Sequence, residues 1–384
     1  MGIHCGWDIG GVHLKVGCLR AAGGVGAGRR FAWRQEAFEI WRAPTRLGKR
    51  LAWLRDAILH EVGVDPRAPA REVRHAVTMT AELSDLFPDR LTGVRTILAA
   101  GRQALGEAGG AAGDLVVLGT RGELLPLAEA LEAPRRVAAA NWLATAGLAA
   151  RLQAARGVPS PALLIDVGST TTDIVALCRG RPDPVGDGDV ERLQSGELVY
   201  TGLLRTPPAA LADRVPLGDG WCRVAPEHFT IMADVQVMLG RIGPGEYTIP
   251  TPDGRGRSRA ECAARLARLV CSEPADLGAE ALQRIAAFLE ERQIERIAEA
   301  VRQVGSRCAT VAAGAPNGDP MALVAGAGWF LGEAAARRAG WHAARLSGML
   351  PGLGAGWDVV APAAALALLL AEASGDPMPI AAAS

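Results

Sequence analysis

The sequence predicts an α/β protein of two domains with mixed sheets and an interdomain cleft. Three observations lead there. The chain has 384 residues, 49% of them hydrophobic, which is enough apolar material for two cores. Strand-like apolar runs recur between helical periods in β-β-α and β-α order. One short plan also opens each half of the chain: an apolar strand, Asp, an apolar residue, Gly, two small residues and a return strand. It appears in Gly6-Trp7-Asp8-Ile9-Gly10-Gly11-Val12-His13-Leu14-Lys15 and again in Leu164-Ile165-Asp166-Val167-Gly168-Ser169-Thr170-Thr171-Thr172-Asp173-Ile174.

In chain order, Ile3 to Ile9 reads as a strand, Gly10-Gly11 as a tight turn and Val12 to Leu19 as the return strand. A turn from Gly23 precedes a third strand over Arg30 to Ile40. Leu47, Leu51, Leu54, Ile58 and Leu59 then fall at helical spacing. A strand over Glu72 to Thr80 runs into Ala81-Glu82-Leu83-Ser84-Asp85, followed by a helix over Arg90 to Leu105, a short strand at Leu115 to Leu118 and helices at Leu127 to Glu132 and Trp142 to Ala155. Pro159 to Pro161 breaks the pattern before the strand Ala162 to Asp166. The stretch from Gly180 to Gly220 reads as loops with inserted strands. Helices are expected over Pro226 to Leu239, Ala260 to Val270, Leu282 to Val304 and Pro362 to Ala373, and a short strand from Met321 leads into Gly326-Ala327-Gly328.

Lys+Arg and Asp+Glu are equal at 41 each, so the basic excess of a nucleic-acid binder is missing. The seven cysteines are odd in number and form no Cys-x-x-Cys, which points to buried thiols rather than a disulfide framework or zinc site. The apolar run Ala361 to Leu370 is too short to span a bilayer, and no signal segment is visible. A cytoplasmic protein without membrane attachment is expected. The six dispersed histidines, His13 included, read as structural.

The repeated plan suits phosphate chemistry. Glycine lets backbone N–H groups approach phosphate oxygens, and Ser169, Thr170 and Thr171 add hydroxyl donors. An Asp at a strand end, as at Asp8 and Asp166, can hold Mg²⁺, with Asp234 at a helix start as a third ligand. Asp173 is either a further carboxylate or the partner of an Arg. Lys15 either contacts phosphate or faces solvent. Glu82 and Asp85 are candidate general bases, unless Ser84 merely caps a helix with acids in its first turn. Arg205 can fork onto a diphosphate, Tyr200, Thr201 and Asn141 are candidate substrate contacts, and Trp142 reads as core.

The two loops resemble the phosphate loops of the actin/sugar-kinase/Hsp70 superfamily (ASKHA, ribonuclease-H-like). Val324 to Phe330, with Gly326 and Gly328, resembles its glycine segment, and Asp358 to Leu370 its closing helix. The resemblance implies an N-terminal domain of residues 1–160 plus 357–384 and a second domain of 161–356. Asp166 to Ile174 is also similar to the loop of hydantoinase/oxoprolinase proteins. Thr78 to Asp85, Ala140 to Thr145, Gly196 to Pro207 and Met232 to Val235 resemble a branch tied to methanofuran-type cofactor synthesis, linked to one-carbon metabolism. That branch implies a condensing transferase. It displaces pyrophosphate from an aminomethyl-furanmethanol diphosphate with the phenol oxygen of γ-glutamyltyramine or a tyrosine-derived analogue. The partners are then small molecules, a diphosphate and a phenolic acceptor; the oligomeric state stays open, a homodimer included. The rival is an ATP-dependent sugar-kinase-like enzyme, in which ATP would fill the same cleft.

Overall fold

The computed structural model describes residues 2–21, 29–66, 73–106, 115–157, 162–312 and 320–376. The turn beginning at Gly23, the Pro159–Pro161 break with the 160/161 junction, and the tail from 377 lie outside the described residues. The first sheet contains β1 (Ile3–Ile9), β2 (His13–Arg20), β3 (Arg30–Ala37), β4 (Val73–Met79), β5 (Leu115–Leu118) and β6 (Leu124–Pro126), in the order β3-β2-β1-β4-β5-β6. β1 runs antiparallel to β2 and parallel to β4. All seven residues of β1 are buried because both faces of the sheet are covered, which is why its sequence does not alternate.

The second sheet repeats the device. β7 (Ala162–Val167) forms an antiparallel hairpin with β8 (Thr172–Cys178) and pairs in parallel with β13 (Met321–Ala325). β14 (His342–Arg345) continues beyond β13, while β9 (Arg181–Pro182) and β10 (Leu198–Val199) attach to β8. The separate hairpin of β11 (Arg214–Leu217) and β12 (Gly220–Arg223) lies in the inserted region.

One core face of each sheet meets α4 (Asn141–Arg156) and α10 (Ala361–Ala373) in a common cluster that includes Leu19, Ala76, Leu148, Leu164, Leu323 and Leu366. Buried on nearly every side, α10 is apolar all round rather than amphipathic. It approaches β1 so closely that a Cβ on Gly6 would come within 2.1 Å of the Ala363 carbonyl. The outer face of the first sheet packs against α1 (Leu47–Glu61), α2 (Arg90–Gly101) and α3 (Leu127–Glu132). The second domain's core is built with α6 (Met232–Met238), α7 (Arg259–Arg268), α8 (Pro274–Ala312, broken at Gly278) and α9 (Trp329–Arg338).

Several elements differ from expectation: β6, β14 and α9 were not expected, and α8 begins at Pro274 rather than Leu282. The helix expected over Pro226 to Leu239 is only α6, because Asp234 turns back onto the Ile231 amide and fixes the start there. The helix expected to reach Leu105 ends at Gly101 and continues as a π turn over Arg102–Gly106. The inserted region also holds an unexpected short helix, α5 (Asp189–Ser195). No helix among the described residues is long and apolar enough to cross a membrane.

Candidate active site

Each hairpin closes in the same way. The Gly10 amide donates to the His13 carbonyl at 3.0 Å and the Gly168 amide to the Thr171 carbonyl at 2.9 Å. These two amides, expected to face phosphate, are therefore committed to their own turns. The tips differ: no backbone carbonyl among the described residues takes the amides of Gly11, Val12, Ser169 or Thr170. Of the residues expected to meet phosphate, Gly11, Ser169 and Thr170 keep amides available to an anion, and Val12 adds one that the sequence did not single out.

Across the first hairpin, Asp8 stands opposite Lys15, with Nζ 3.3 Å from Oδ2. Asp8 is 2% exposed and its Oδ1 is sealed without a partner. Across the second, Asp166 stands opposite another carboxylate, Asp173. Asp166 accepts from the Thr145 hydroxyl at 3.1 Å. Burial first, then Asp173 and more weakly Asp8, push its carboxyl up to about 7 against the pull of Lys15. Asp173 is likewise pushed up, by burial, although Arg192 holds it at 2.8 Å. Asp173 is thus the buried partner of an Arg, and Arg192 lies over the core Trp142 ring at 4.0 Å. Charges from both sheets act on one another here, which makes the two loops one site.

The segment 201–206 braces the second loop. Leu203, Leu204 and Arg205 donate backbone bonds to the carbonyls of Gly168 and Ser169, and the Thr172 hydroxyl bonds the Thr201 carbonyl. Gly202, which sequence reasoning missed, presses so closely that a Cβ would lie 2.7 Å from Thr170 backbone atoms. Thr201 was expected to touch substrate, yet it is fully buried, bonded to Thr206 and Gln293. Gly326 and Gly328 have a packing reason of their own. A Cβ on Gly326, whose φ is +87°, would sit 2.3 Å from the Val167 carbonyl, and the Gly328 amide bonds that carbonyl at 2.9 Å. Both glycines let β13 close against the second loop. Tyr200 is 69% exposed, and the exposed Arg205 guanidinium lies 5.9 Å over the Trp41 ring.

Glu82 and Asp85 part company. Asp85 is exposed, whereas Glu82 is 1% exposed with neither carboxyl oxygen in a well-formed hydrogen bond. Burial lifts Glu82 to about 7; Arg90 and the Glu82 and Ala139 amides offset only part of that, and Asp189 adds to it. Arg90 and Asp189 form an ion pair at 2.8 Å between the two domains. Asp189 also acts on Asp173 of the second hairpin. The Glu82 segment follows β4, whose end lies beside the first loop through the Thr80 amide bond to Ile9. Ala139, held at φ +52°, and the half-buried Asn141 complete this corner. The helix-capping reading fails because α2 is capped by Asp89, not Ser84.

The family model for hydantoinase/oxoprolinase matches residues 74–370. The chain belongs to the hydantoinase/oxoprolinase family. Within it, the chain is 32% identical over 232 residues to a "(4-{4-[2-(gamma-L-glutamylamino)ethyl]phenoxymethyl}furan-2-yl)methanamine synthase" of Methanocaldococcus jannaschii, covering 60% of this chain and 67% of the relative. A synthase of the same description from Methanococcus vannielii is 32% identical over 145 residues, or 38% of this chain and 65% of the relative. An acetone carboxylase in its nucleotide-free structure superposes with a TM-score of 0.52 at 12% identity, covering 96% of this chain and 70% of that one. That likeness concerns the fold alone, which is the actin-like two-sheet architecture.

In this family member, Asp234 is not free for a metal. Its Oδ1 takes two bonds from the buried Arg265, at 2.9 and 2.7 Å, and its Oδ2 caps α6. Among the described residues, no three His, Cys, Asp or Glu side chains gather as a metal-ligand set. Asp8 and Asp166 remain, one with an orphaned buried oxygen and one short of positive charge. Such a pair fits magnesium, which keeps several waters and is commonly held by one or two carboxylates together with substrate phosphates.

Proposed function

We propose that this protein is a pyrophosphate-releasing ether synthase, joining the phenol oxygen of a tyramine- or tyrosine-derived acceptor to the furanylmethyl carbon of an aminomethyl-furanmethanol diphosphate. The observation that carries the reading is Glu82. It is a buried carboxyl without a well-formed hydrogen bond, raised to about 7, and Asp189 acts both on it and on Asp173 of the second hairpin. A base with that pKa is matched to taking a phenol proton near neutrality. The phenoxymethyl-furan ether in the relatives' name is the bond such chemistry forms.

In the proposed reaction the carbon–oxygen bond to the diphosphate breaks with its electron pair leaving on pyrophosphate. The phenol oxygen bonds to that carbon, and its proton passes to Glu82. The free amides of Ser169, Thr170, Gly11 and Val12, with Lys15, receive the departing anion. Magnesium, held by Asp8 and Asp166, would supply further neutralisation of the leaving group when bound. The test is incubation of the purified protein with the furan diphosphate and γ-glutamyltyramine. One pyrophosphate per ether formed is expected. ADP released from ATP without ether formation would overturn the reading in favour of a kinase.

A further inference from the structure

Beside the first loop lies a cavity of about 430 Å³ walled by both domains. From one side come Glu39, Arg42, Arg46 and Arg50, and from the other Thr248 and Arg257. Its charge is lopsided. Arg42 is held by Glu39 at 2.8 Å and Arg50 pairs with Glu36, but Arg46 and Arg257 have no carboxylate partner among the described residues. The first turn of α1 borders the same space with no side-chain cap, adding the positive end of a helix. With Glu36 and Glu39 set against four guanidinium groups, the excess positive charge falls on Arg46 and Arg257, while Glu39 is the one carboxylate on the cavity wall, a pairing that suits a zwitterion. An α-amino acid offers a carboxylate to the unpaired arginines and an ammonium to Glu39.

The cavity is tied to the catalytic loops. Thr248 on its wall bonds His13 at 2.6 Å, and the amides of Phe38 and Ile40 bond the carbonyls of Val12 and Gly11. His13 lies deep enough that burial lowers it to about 3, so it stays neutral and adds no competing cation. Trp41, next to Arg42, lies with its ring 3.8 Å from where a Gly11 Cβ would stand and carries Arg205 above it. The wall therefore runs from loop tip to aromatic face to arginine cavity.

We infer that this cavity is the subsite for the α-amino-acid tail of the acceptor, with the carboxylate on Arg46 and Arg257, the ammonium on Glu39, and Trp41 as the surface beneath the acceptor ring. The inference rests on the proposed ether synthesis, in which a phenol is the acceptor. The relatives' description contains such a tail, the gamma-L-glutamylamino group. The diphosphate is assigned elsewhere because Lys15 and the free loop amides already serve it.

The test measures binding of the acceptor alone, by calorimetry on the full chain without donor. Wild type should bind γ-glutamyltyramine at least about tenfold more tightly than tyramine, the scale of one charge-assisted contact. Arg46 and Arg257 are exposed, but Arg257 also bonds the Ile249 carbonyl and lies over the Tyr247 ring, so a thermal melt of the double variant accompanies the titration and must match wild type. Arg46→Gln with Arg257→Gln should erase that preference while tyramine binds as before. Glu39→Gln should erase the preference for the glutamyl over the glutaryl tail, which lacks the ammonium. Equal affinity for the two acceptors in wild type overturns the inference, as does a preference that survives the double substitution. So does a double variant that loses inorganic pyrophosphate instead of the tail. Because no donor is present, a failure to form ether leaves the binding result standing. Ether formed with equal KM for both acceptors would sink the subsite and spare the proposed reaction.

Discussion

The two hairpins share a turn and differ in the residue facing the aspartate. In the first, Asp8 faces a lysine; in the second, Asp166 faces a second aspartate. The first hairpin thus arrives with Asp8 paired to Lys15, and its tip is held by the amides of Phe38 and Ile40 on the Val12 and Gly11 carbonyls. The second carries two crowded carboxylates, one relieved by Arg192, and is braced from outside by 201–206 and by the glycines after β13. A repeat can therefore keep its backbone plan while dividing the work. On the proposed function, the first loop brings a fixed cation, Lys15, and the second a crowded carboxyl pair whose ionisation a bound cation would favour. On the same proposal Glu82, on the first sheet's side, is the proton acceptor.

The largest effect is expected where that division meets the chemistry. Glu82→Gln should lower kcat by about 10²–10⁴, the range for loss of a positioned general base, and should remove the rise of rate with pH through about 7. Stability gives an independent readout with a definite sign. Glu82 is raised from 4.5 to about 7, so the unfolded chain ionises first and stability falls as pH rises between those values. The variant should gain up to about 3 kcal/mol at pH 8 and nothing near pH 4. Unchanged kcat with that stability gain would leave Glu82 as a buried misfit rather than a base.

Next in size, Asp166→Asn should reduce turnover by about a hundredfold, corresponding to roughly 3 kcal/mol of electrostatic stabilisation. Magnesium titration checks the cause, because a lost ligand shifts the metal dependence whereas a lost turn cap does not. Wild-type turnover and metal dependence would break the division of labour proposed for the second hairpin.

Most of this architecture is legible in the sequence because the strand-Asp-Gly plan is local and repeated, and the apolar runs around it are long. Asp8, Asp166 and Glu82 stand out as candidates for the same reason, each lying at or just after a strand end. Lys15 instead lies inside the return strand, where the pattern left phosphate contact and solvent open and the structure pairs it with Asp8. Asp234 misleads because its partner, Arg265, is 31 positions away in another helix, and no local pattern announces the pair. Thr201, Gly326 and Gly328 lie beside the site as expected, but their neighbours are the backbone of the second loop, a tertiary contact with no sequence period. Gly202 could have been found: a glycine between a buried Thr and two leucines, in a segment otherwise rich in side chains, signals a close backbone approach.

The bracing of the second hairpin yields a third contrast. Gly326→Ala would place a Cβ 2.3 Å from the Val167 carbonyl at φ +87° and should cost at least about 1–3 kcal/mol. Gly168→Ala meets only the Thr171 carbonyl at 3.3 Å and should change stability by about 0.5 kcal/mol or less. Denaturant melts of both variants decide whether rigidity comes from the loop's own glycine or from the glycine that closes on it. A larger loss at Gly168 would reverse that assignment.

The smallest effect tests the comparison most directly, through the sign of two matched substitutions at pH 8 without metal. Asp8→Asn leaves Lys15, 19% exposed, without its counter-charge in a largely buried place, and should cost about 1 kcal/mol. Asp166→Asn removes a carboxyl whose ionisation burial and Asp173 both oppose, while an Asn oxygen can still accept from Thr145. It should therefore stabilise the fold by about 1 kcal/mol or more. With the carboxyl raised from 3.8 to about 7, the gain must shrink as pH is lowered through that window and vanish near pH 4. Saturating magnesium should close the gap from the other side, since a ligand bound only by the folded wild type stabilises it by mass action. Melts of the two variants and wild type at pH 4 and pH 8, with and without magnesium, separate these contributions. If both substitutions destabilise equally at pH 8 without metal, the second hairpin holds no unrelieved charge, and the two loops are equivalent after all.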